Sequence, residues 1–204
     1  MEGSLIIISS PSGGGKGTLI GRVRDKLEGV AYSVSHTTRE VRAGEVDGVD
    51  YHFVSAAEFE ELIGKNEFLE FATVHGNYYG TSKSFIERET AMGRDVILEI
   101  DVQGAALVRE RVPRSVGIFI LPPSFEVLRE RLAARMTESG ESLGLRLANA
   151  KAEVYRYSEF DFVIINDSLD VAEDELRSVI VANRLARVRQ EGVIRDILFT
   201  FGDE

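Results

Sequence analysis

Cysteine is absent from the 204 residues, so no disulfide framework, thiolate metal site or thiol nucleophile exists. Histidine is scarce. His36, His52 and His75 are scattered and lack the spacing of a helical zinc pair, so a metal site built from histidine is not expected. No run approaches the roughly 20 apolar residues of a membrane span. The few apolar residues after Met1-Glu2-Gly3-Ser4 do not make a signal peptide, and a cytoplasmic location is expected. Basic residues are outnumbered: 24 Lys and Arg against 34 Asp and Glu leave a net charge of −10. That balance argues against nucleic-acid and anionic-membrane partners. With 44% hydrophobic residues, the chain can bury the core of one domain carrying insertions; monomer and homo-oligomer are both open.

The most informative stretch runs from Ile6 to Thr18. Ile6-Ile7-Ile8 reads as a buried strand, because β-branched residues suit a pleated surface. Gly13, Gly14 and Gly15 let the backbone turn tightly and bring its N–H groups close to an anion. Leu19, Ile20, Val23 and Leu27 then recur at helical spacing. Phosphate is favoured at such a helix N-terminus, and Lys16 adds a point charge for the β/γ-phosphates. Residues Ser12, Gly13, Gly14, Gly15, Lys16, Gly17 and Thr18 are thus read as a P-loop for a nucleoside triphosphate. It departs from G-x-x-x-x-G-K-[ST] in two places. Ser10 replaces the first glycine, and Gly17 follows the lysine, so the hydroxyl arrives one residue late at Thr18.

Strand-like runs at Leu5–Ser9, Val96–Ile100, Val116–Leu121 and Phe162–Ile165 alternate with helical patterns. That alternation predicts an α/β fold, a parallel sheet flanked by helices, with its sites at the carboxyl ends of the strands. Gly13–Gly17, Asp101 and Asn166 should gather there. Residues 35–84 break the rhythm. Aromatics lie among turns such as Asp47-Gly48 and Gly76-Asn77, which predicts short antiparallel strands around one helix. That helix opens with the capping box Ser55-Ala56-Ala57-Glu58 and has Phe59, Leu62 and Ile63 as its apolar face. A second, arginine-rich helical insertion covers 124–158. A last long helix is expected from about Val171, acidic early at Glu173 and Asp174 and basic late at Arg184, Arg187 and Arg189.

Arg39 and Arg42 stand three residues apart near Tyr51, a set able to grip a phosphate with guanidinium forks and a hydroxyl. The plainer alternative is a solvated loop in which the arginines pair with Glu45 or Asp47. Glu99 and Asp101, two apart, would share one face of a strand.

Residues 37–54 resemble the guanylate kinase signature throughout. So do Glu67-Phe68-Leu69-Glu70, Gly76-Asn77-Tyr78-Tyr79-Gly80-Thr81, Glu99-Ile100-Asp101-Val102-Gln103-Gly104 and Ile165-Asn166-Asp167-Ser168-Leu169-Asp170. The resemblance runs in order from the P-loop to about Ile180. It implies a P-loop NTPase fold with three parts: a core (1–34, 85–123 and 159–204), a GMP-binding subdomain (35–84) and a helical lid (124–158). It also implies magnesium-dependent transfer of the γ-phosphoryl of ATP to GMP. By matching position, Arg39, Arg42, Tyr51 and Tyr79 would bind the GMP phosphate, while Ser35, Glu70, Thr81 and Asp101 would read guanine. Lys16, Arg131, Arg135 and Arg146 would meet the transferring phosphates. Magnesium would be held by ATP phosphates and water, with Glu99 behind a water.

The guanine assignment has independent chemical support, because N1–H and N2–H₂ are donors that suit the acceptor-only carboxylates of Glu70 and Asp101. Departures from the family pattern fall at Glu40, Met136, Gly140 and Gly144. Gly140 and Gly144 weaken helix and favour an open, frayed lid before nucleotides bind. Two rivals are disfavoured. A noncatalytic scaffold relative does not require Lys16 and the three lid arginines. A kinase acting on a ribose phosphate has no use for Glu70, Thr81 and Asp101 as base readers.

Overall fold

The computed structural model describes residues 2–74, 76–134 and 143–202. Its centre is β1 (Leu5–Ser9), whose five residues are all buried. The P-loop carries the chain from β1 into α1 (Lys16–Lys26), and β2 (Val30–Ser33) follows. A second group of elements comes next: β3 (His36–Thr37), β4 (His52–Phe53), α2 (Ala56–Gly64), β5 (Phe68–Val74) and β6 (Asn77–Ser82). The chain then returns through α3 (Lys83–Ala91), β7 (Asp95–Glu99), α4 (Val102–Arg111) and β8 (Val116–Leu121). Helices α5 (Phe125–Ala134) and α6 (Leu143–Val154) precede a 3₁₀ turn at Tyr155–Glu159 and β9 (Phe162–Ile165). The final elements are α7 (Leu169–Arg184) and α8 (Arg187–Thr200).

The larger sheet has the order β2-β7-β1-β8-β9, and every pairing in it is parallel. Side chains of β1 alternate between two cores. Ile6 and Ile8 pack with Leu19, Ile20 and Val23 of α1 and with Leu176 and Ile180 of α7. Leu5 and Ile7 pack on the other face with Ile86 of α3 and Ala105 and Val108 of α4. A strand covered on both faces must be apolar at every position, which is why the isoleucine run was legible. Each such side chain contributes roughly 1.5–3 kcal/mol when fully buried. Edge strand β2 escaped the sequence reading because its apolar run, Val30-Ala31-Tyr32, is short and only half-buried, and only Ser33 of its four residues is buried. A second clasp joins α1 to α7, where the buried Glu173 meets Arg22 Nε and Lys26 Nζ, each at 2.6 Å.

The smaller sheet has the order β4-β3-β6-β5. Its β3–β6 and β5–β6 pairings are antiparallel as expected, but β3 and β4 pair in parallel. Residues 38–51 allow this, because they form a loop long enough to carry the chain back before β4 begins. The capping box forms. The Ser55 hydroxyl accepts from Glu58 N–H, and the Glu58 carboxylate accepts from Ser55 N–H at 2.8 Å. Phe59 is fully buried and stacks on Phe68 (4.5 Å between centroids) and Tyr78 (5.2 Å), whereas Leu62 and Ile63 are half-buried. Only glycine fits at position 80, where a Cβ would stand 2.9 Å from both the Phe59 and Phe68 rings.

The single C-terminal helix expected from sequence is two helices. Arg184 of α7 and Arg189 of α8 both grip the buried Asp95, at 2.7 and 3.0 Å, and Gln190 donates to the Arg184 carbonyl at 2.8 Å. A straight helix could not deliver both guanidinium groups to one carboxylate from opposite sides of residues 185–186. Arg187 and Arg189 therefore open α8 instead of closing α7. Gly144 lies in the first turn of α6, not in a helix interior, so its cost to helix stability is smaller than expected. Met136 and Gly140 lie outside the described residues, as does His75, and so does the expected fraying of this segment.

The ring of His36 in β3 lies 4.7 Å from His52, centroid to centroid. Burial, and secondarily His52, push the His36 imidazole down to about 4 from 6.5. Between those values the unfolded chain binds a proton that the folded chain does not, so acidification favours unfolding there and adds nothing below. The urea midpoint of the protein should fall more steeply from pH 7 to 4.5 than that of His36→Leu. Parallel curves would show that His36 carries no such linkage.

Candidate active site

The P-loop follows from local sequence. Gly13 and Gly15 both adopt positive φ, 86° and 89°. Gly15 caps α1 in the left-handed conformation, and a Cβ there would stand 2.4 Å from Asn166 Nδ2. Backbone freedom and close approach both demand glycine at that position. Asn166, at the end of β9, donates to the Gly14 carbonyl at 2.9 Å and is buried, so it fixes the loop from beneath. Ser10, in the place of the first motif glycine, is buried and donates to the Pro11 carbonyl at 3.0 Å. The substitution is absorbed within the turn.

Lys16 begins α1, and its Nζ lies 3.4 Å from Glu99 at the end of β7. The Tyr32 hydroxyl donates to the same carboxylate at 3.1 Å. Burial, reinforced by Glu99, drives the Tyr32 phenol well above its ordinary range, so it stays a donor. Thr18 is exposed on α1 and does not line the cleft, as expected from its place one residue further round the helix.

From Lys16 a cleft of about 560 Å³ runs toward the smaller sheet, lined by Ser35, Tyr51, Glu70, Tyr79, Glu99 and Asp101 among others. Glu70 on β5 is buried and accepts from the Thr81 hydroxyl at 2.6 Å. Thr81 is itself buried and does not line the cleft, so it positions Glu70. Burial raises the Glu70 carboxyl above the usual carboxylate range, the Thr81 hydrogen bond pulls it back, and the Asp101 charge adds to the rise. Asp101 is not on the strand with Glu99, because β7 ends at Glu99 and Asp101 caps α4, accepting from Gly104 N–H at 2.8 Å. Both acids lie beside Gly104. A Cβ there would stand 3.3 Å from both Asp101 Oδ1 and Glu70 Oε2.

The signature arginines are placed differently from each other. Arg39 is largely buried, pairs with Glu45 at 2.7 Å, and lies over the rings of Tyr51 (5.3 Å) and Phe53 (5.6 Å). This is the plainer loop pairing weighed from the sequence, except that Glu45 itself lines the cleft. Its hydrogen bond to Glu45 raises the Arg39 guanidinium further, and the same bond lowers the Glu45 carboxyl. Arg42 is exposed and does not line the cleft.

Of the second arginine group, Arg131 on α5 reaches the P-loop. It donates to the Asn166 carbonyl at 3.0 Å and lies 3.5 Å from the Gly14 carbonyl. Arg146 on α6 is half-buried and does not line the cleft, and Arg135 lies outside the described residues. Among the described residues no cluster of three acidic or histidine side chains can hold a metal.

Two residues at the site had no sequence signal. Tyr32 sits on the unrecognised strand β2. Glu153 on α6 accepts from Ser12 N–H at 2.9 Å across 141 residues of sequence. Only the fold makes these neighbours.

A parallel sheet with a P-loop at its carboxyl edge, opening onto a cleft closed by a second sheet, defines a P-loop nucleotide-binding α/β protein. The guanylate kinase family model matches residues 2–183. A guanylate kinase of Neisseria meningitidis serogroup A is 54% identical over 197 residues, covering 97% of this chain and 96% of that protein. One from Symbiobacterium thermophilum is 47% identical over 98% of this chain and 95% of its own length. The crystal structure of guanylate kinase from Anaplasma phagocytophilum superposes with a TM-score of 0.82 at 32% identity, covering 100% of this chain and 97% of that one. The chain belongs to the guanylate kinase family.

Proposed function

We infer that this chain transfers the γ-phosphoryl group of ATP to GMP, giving ADP and GDP. One observation carries the reading: Lys16 at the P-loop and the Glu70–Asp101 carboxylate pair open onto the same cleft. A triphosphate at the P-loop and a base at the far end are thereby brought into one chamber, as direct transfer between them requires. Ser12 to Thr18 form the ATP side, with backbone amides and Lys16 meeting phosphate. Thr18 serves through its backbone, given the outward position of its side chain.

On the acceptor side, Ser35, Glu70 and Asp101 face guanine, and Thr81 holds Glu70. Tyr51 and Tyr79 direct hydroxyls at the GMP phosphate. Arg39 exchanges Glu45 for that phosphate, and Arg42 closes from the rim. Arg131 already lies against the P-loop, and Arg135 and Arg146 complete the positive set around the transferring group. Phosphoryl transfer through a metaphosphate-like transition state needs such positioning and charge, with little covalent work by the protein.

Magnesium fits this site as a nucleotide-borne ion. A single carboxylate, Glu99, lies beside Lys16 and Gly17, and the ion commonly keeps its waters and bridges phosphates. When bound, it neutralises charge on the β- and γ-phosphates, and Glu99 would hold it through water. The three-part organisation assigned above, with core, GMP-binding subdomain and lid, follows from this reading. A cytoplasmic setting suits it, and no described helix is long and apolar enough to cross a membrane.

A coupled ADP-release assay with GMP, AMP and a ribose phosphate tests the assignment. GMP should be preferred strongly, and comparable kcat/KM for AMP would refute it. Arg39→Ala should raise KM for GMP with little change in kcat, by up to the ~1.5–3 kcal/mol of a charge-assisted hydrogen bond. An unchanged KM would remove Arg39 from the phosphate site.

A further inference from the structure

A P-loop motif ends in a serine or threonine whose hydroxyl serves the metal ion, and this chain has Gly17 at that place. Thr18 does not replace it, being exposed and outside the cleft. What faces position 17 is Glu99. A Cβ on Gly17 would stand 3.4 Å from Glu99 Oε1 and 3.7 Å from Oε2, so a motif hydroxyl would lie against this carboxylate. Another hydroxyl already does. Tyr32 donates to Glu99 Oε2 at 3.1 Å, while Lys16 Nζ stands 3.4 Å from Oε1. The strand register explains the reach of Tyr32. It pairs with Ile97 of β7, and Glu99 follows two residues later on the same face of the sheet. Arg24 of α1 lies over the Tyr32 ring, 4.2 Å from its centroid, which favours this one ring orientation. Gly17, Arg24, Tyr32 and Glu99 all line the substrate cleft.

We propose that Tyr32 is a positioning residue that takes the place of the missing motif hydroxyl, holding the Glu99 carboxylate toward the metal-bound water of the nucleotide. This role rests on the reading of Glu99 as the anchor of that water. Both carboxylate oxygens have a partner before nucleotide binds, Lys16 on Oε1 and Tyr32 on Oε2. Incoming phosphates compete for Lys16, since an ammonium is drawn to the greater negative charge. The Tyr32 hydrogen bond then keeps Oε2 fixed and leaves Oε1 directed at the water. A carboxylate held at one oxygen presents the other in a set direction, which is how partners behind a metal site tune it. The donor has thus moved from the first turn of α1 to the edge strand β2 without losing its target.

Calorimetric titration of the full chain with adenylyl imidodiphosphate, once with magnesium and once with EDTA, separates metal-linked binding from phosphate binding. In the unaltered chain magnesium should tighten binding of this analogue. Tyr32→Phe should lose roughly fivefold of that enhancement, less than the ~10–100-fold of a partner to a direct metal ligand, because Glu99 acts through water. Its affinity in EDTA, and its affinity for GMP, should stay within about twofold of the unaltered chain. Adding Gly17→Ser to Tyr32→Phe should restore the enhancement, whereas Gly17→Ser alone should gain less, since the carboxylate is already held. Serine at that place meets Glu99 at ordinary van der Waals distance, and phenylalanine keeps the ring, so the variants should fold; thermal melts check this. An enhancement unchanged in Tyr32→Phe overturns the role. So does an equal loss in EDTA, which a merely structural hydrogen bond would give, or a loss confined to GMP. Equal gains from Gly17→Ser in both backgrounds overturn the replacement of the motif hydroxyl. No enhancement by magnesium in the unaltered chain would refute Glu99 as the anchor, and the role of Tyr32 with it.

Discussion

Lys16→Ala is expected to lower kcat for phosphoryl transfer by about 10²–10³-fold and to leave GMP affinity within about twofold. The asymmetry follows from position. Lys16 opens α1 at the P-loop, whereas Glu70 and Asp101, the residues proposed to face guanine, stand on β5 and at the start of α4. The loss should exceed that of one missing attraction. Without Lys16, the Glu99 carboxylate keeps the Tyr32 hydroxyl but loses its cation, so an unpaired anion faces the incoming phosphates. Steady-state kinetics with calorimetric GMP binding separate the two effects. Near-normal turnover in a folded variant would sink the P-loop mechanism and favour a noncatalytic scaffold. An equal loss of GMP affinity would mean that the two ends of the cleft are not separate sites.

Glu70→Gln should cost about 10²–10⁴-fold in kcat/KM for GMP, with kcat for saturated enzyme less affected. Glutamine keeps an oxygen that can accept from Thr81, so the internal hydrogen bond of 2.6 Å need not be lost. What changes is the group offered to guanine. A carboxylate accepts at both oxygens, whereas an amide presents a donor where guanine also presents donors. The same carboxylate gives a pH signature. Because burial raises its pKa, acid should protonate Glu70 above the ordinary carboxylate range and weaken GMP binding there. Glutamine has no such titration, so its KM should be flat over that window. Equal acid limbs in both proteins would assign the titration elsewhere.

The sequence by itself determined the central strand, the P-loop and the capped helix α2. In each, residues adjacent in the chain do the work. An isoleucine run buried on both faces, glycines forced to positive φ and a Ser–Glu capping pair are local features, and local spacing records them. It also indicated that Glu70 and Asp101 belong together, although chemistry and family resemblance, not spacing, supplied that. Only the tertiary structure decided how the pair meets, with both carboxylates close beside Gly104, where a Cβ would stand 3.3 Å from each. It moved Asp101 off the strand to a helix cap, placed Tyr32 on Glu99, and set Glu153 on the P-loop amide of Ser12. It broke the C-terminal helix so that Arg184 and Arg189 could reach Asp95. The physical reason is common to all of these. A hydrogen bond or ion pair across dozens of residues leaves no periodicity in the chain, and a lone Tyr, Glu or Asp is most often an ordinary surface residue. Packing the two sheets against their helices is what turns such residues into partners.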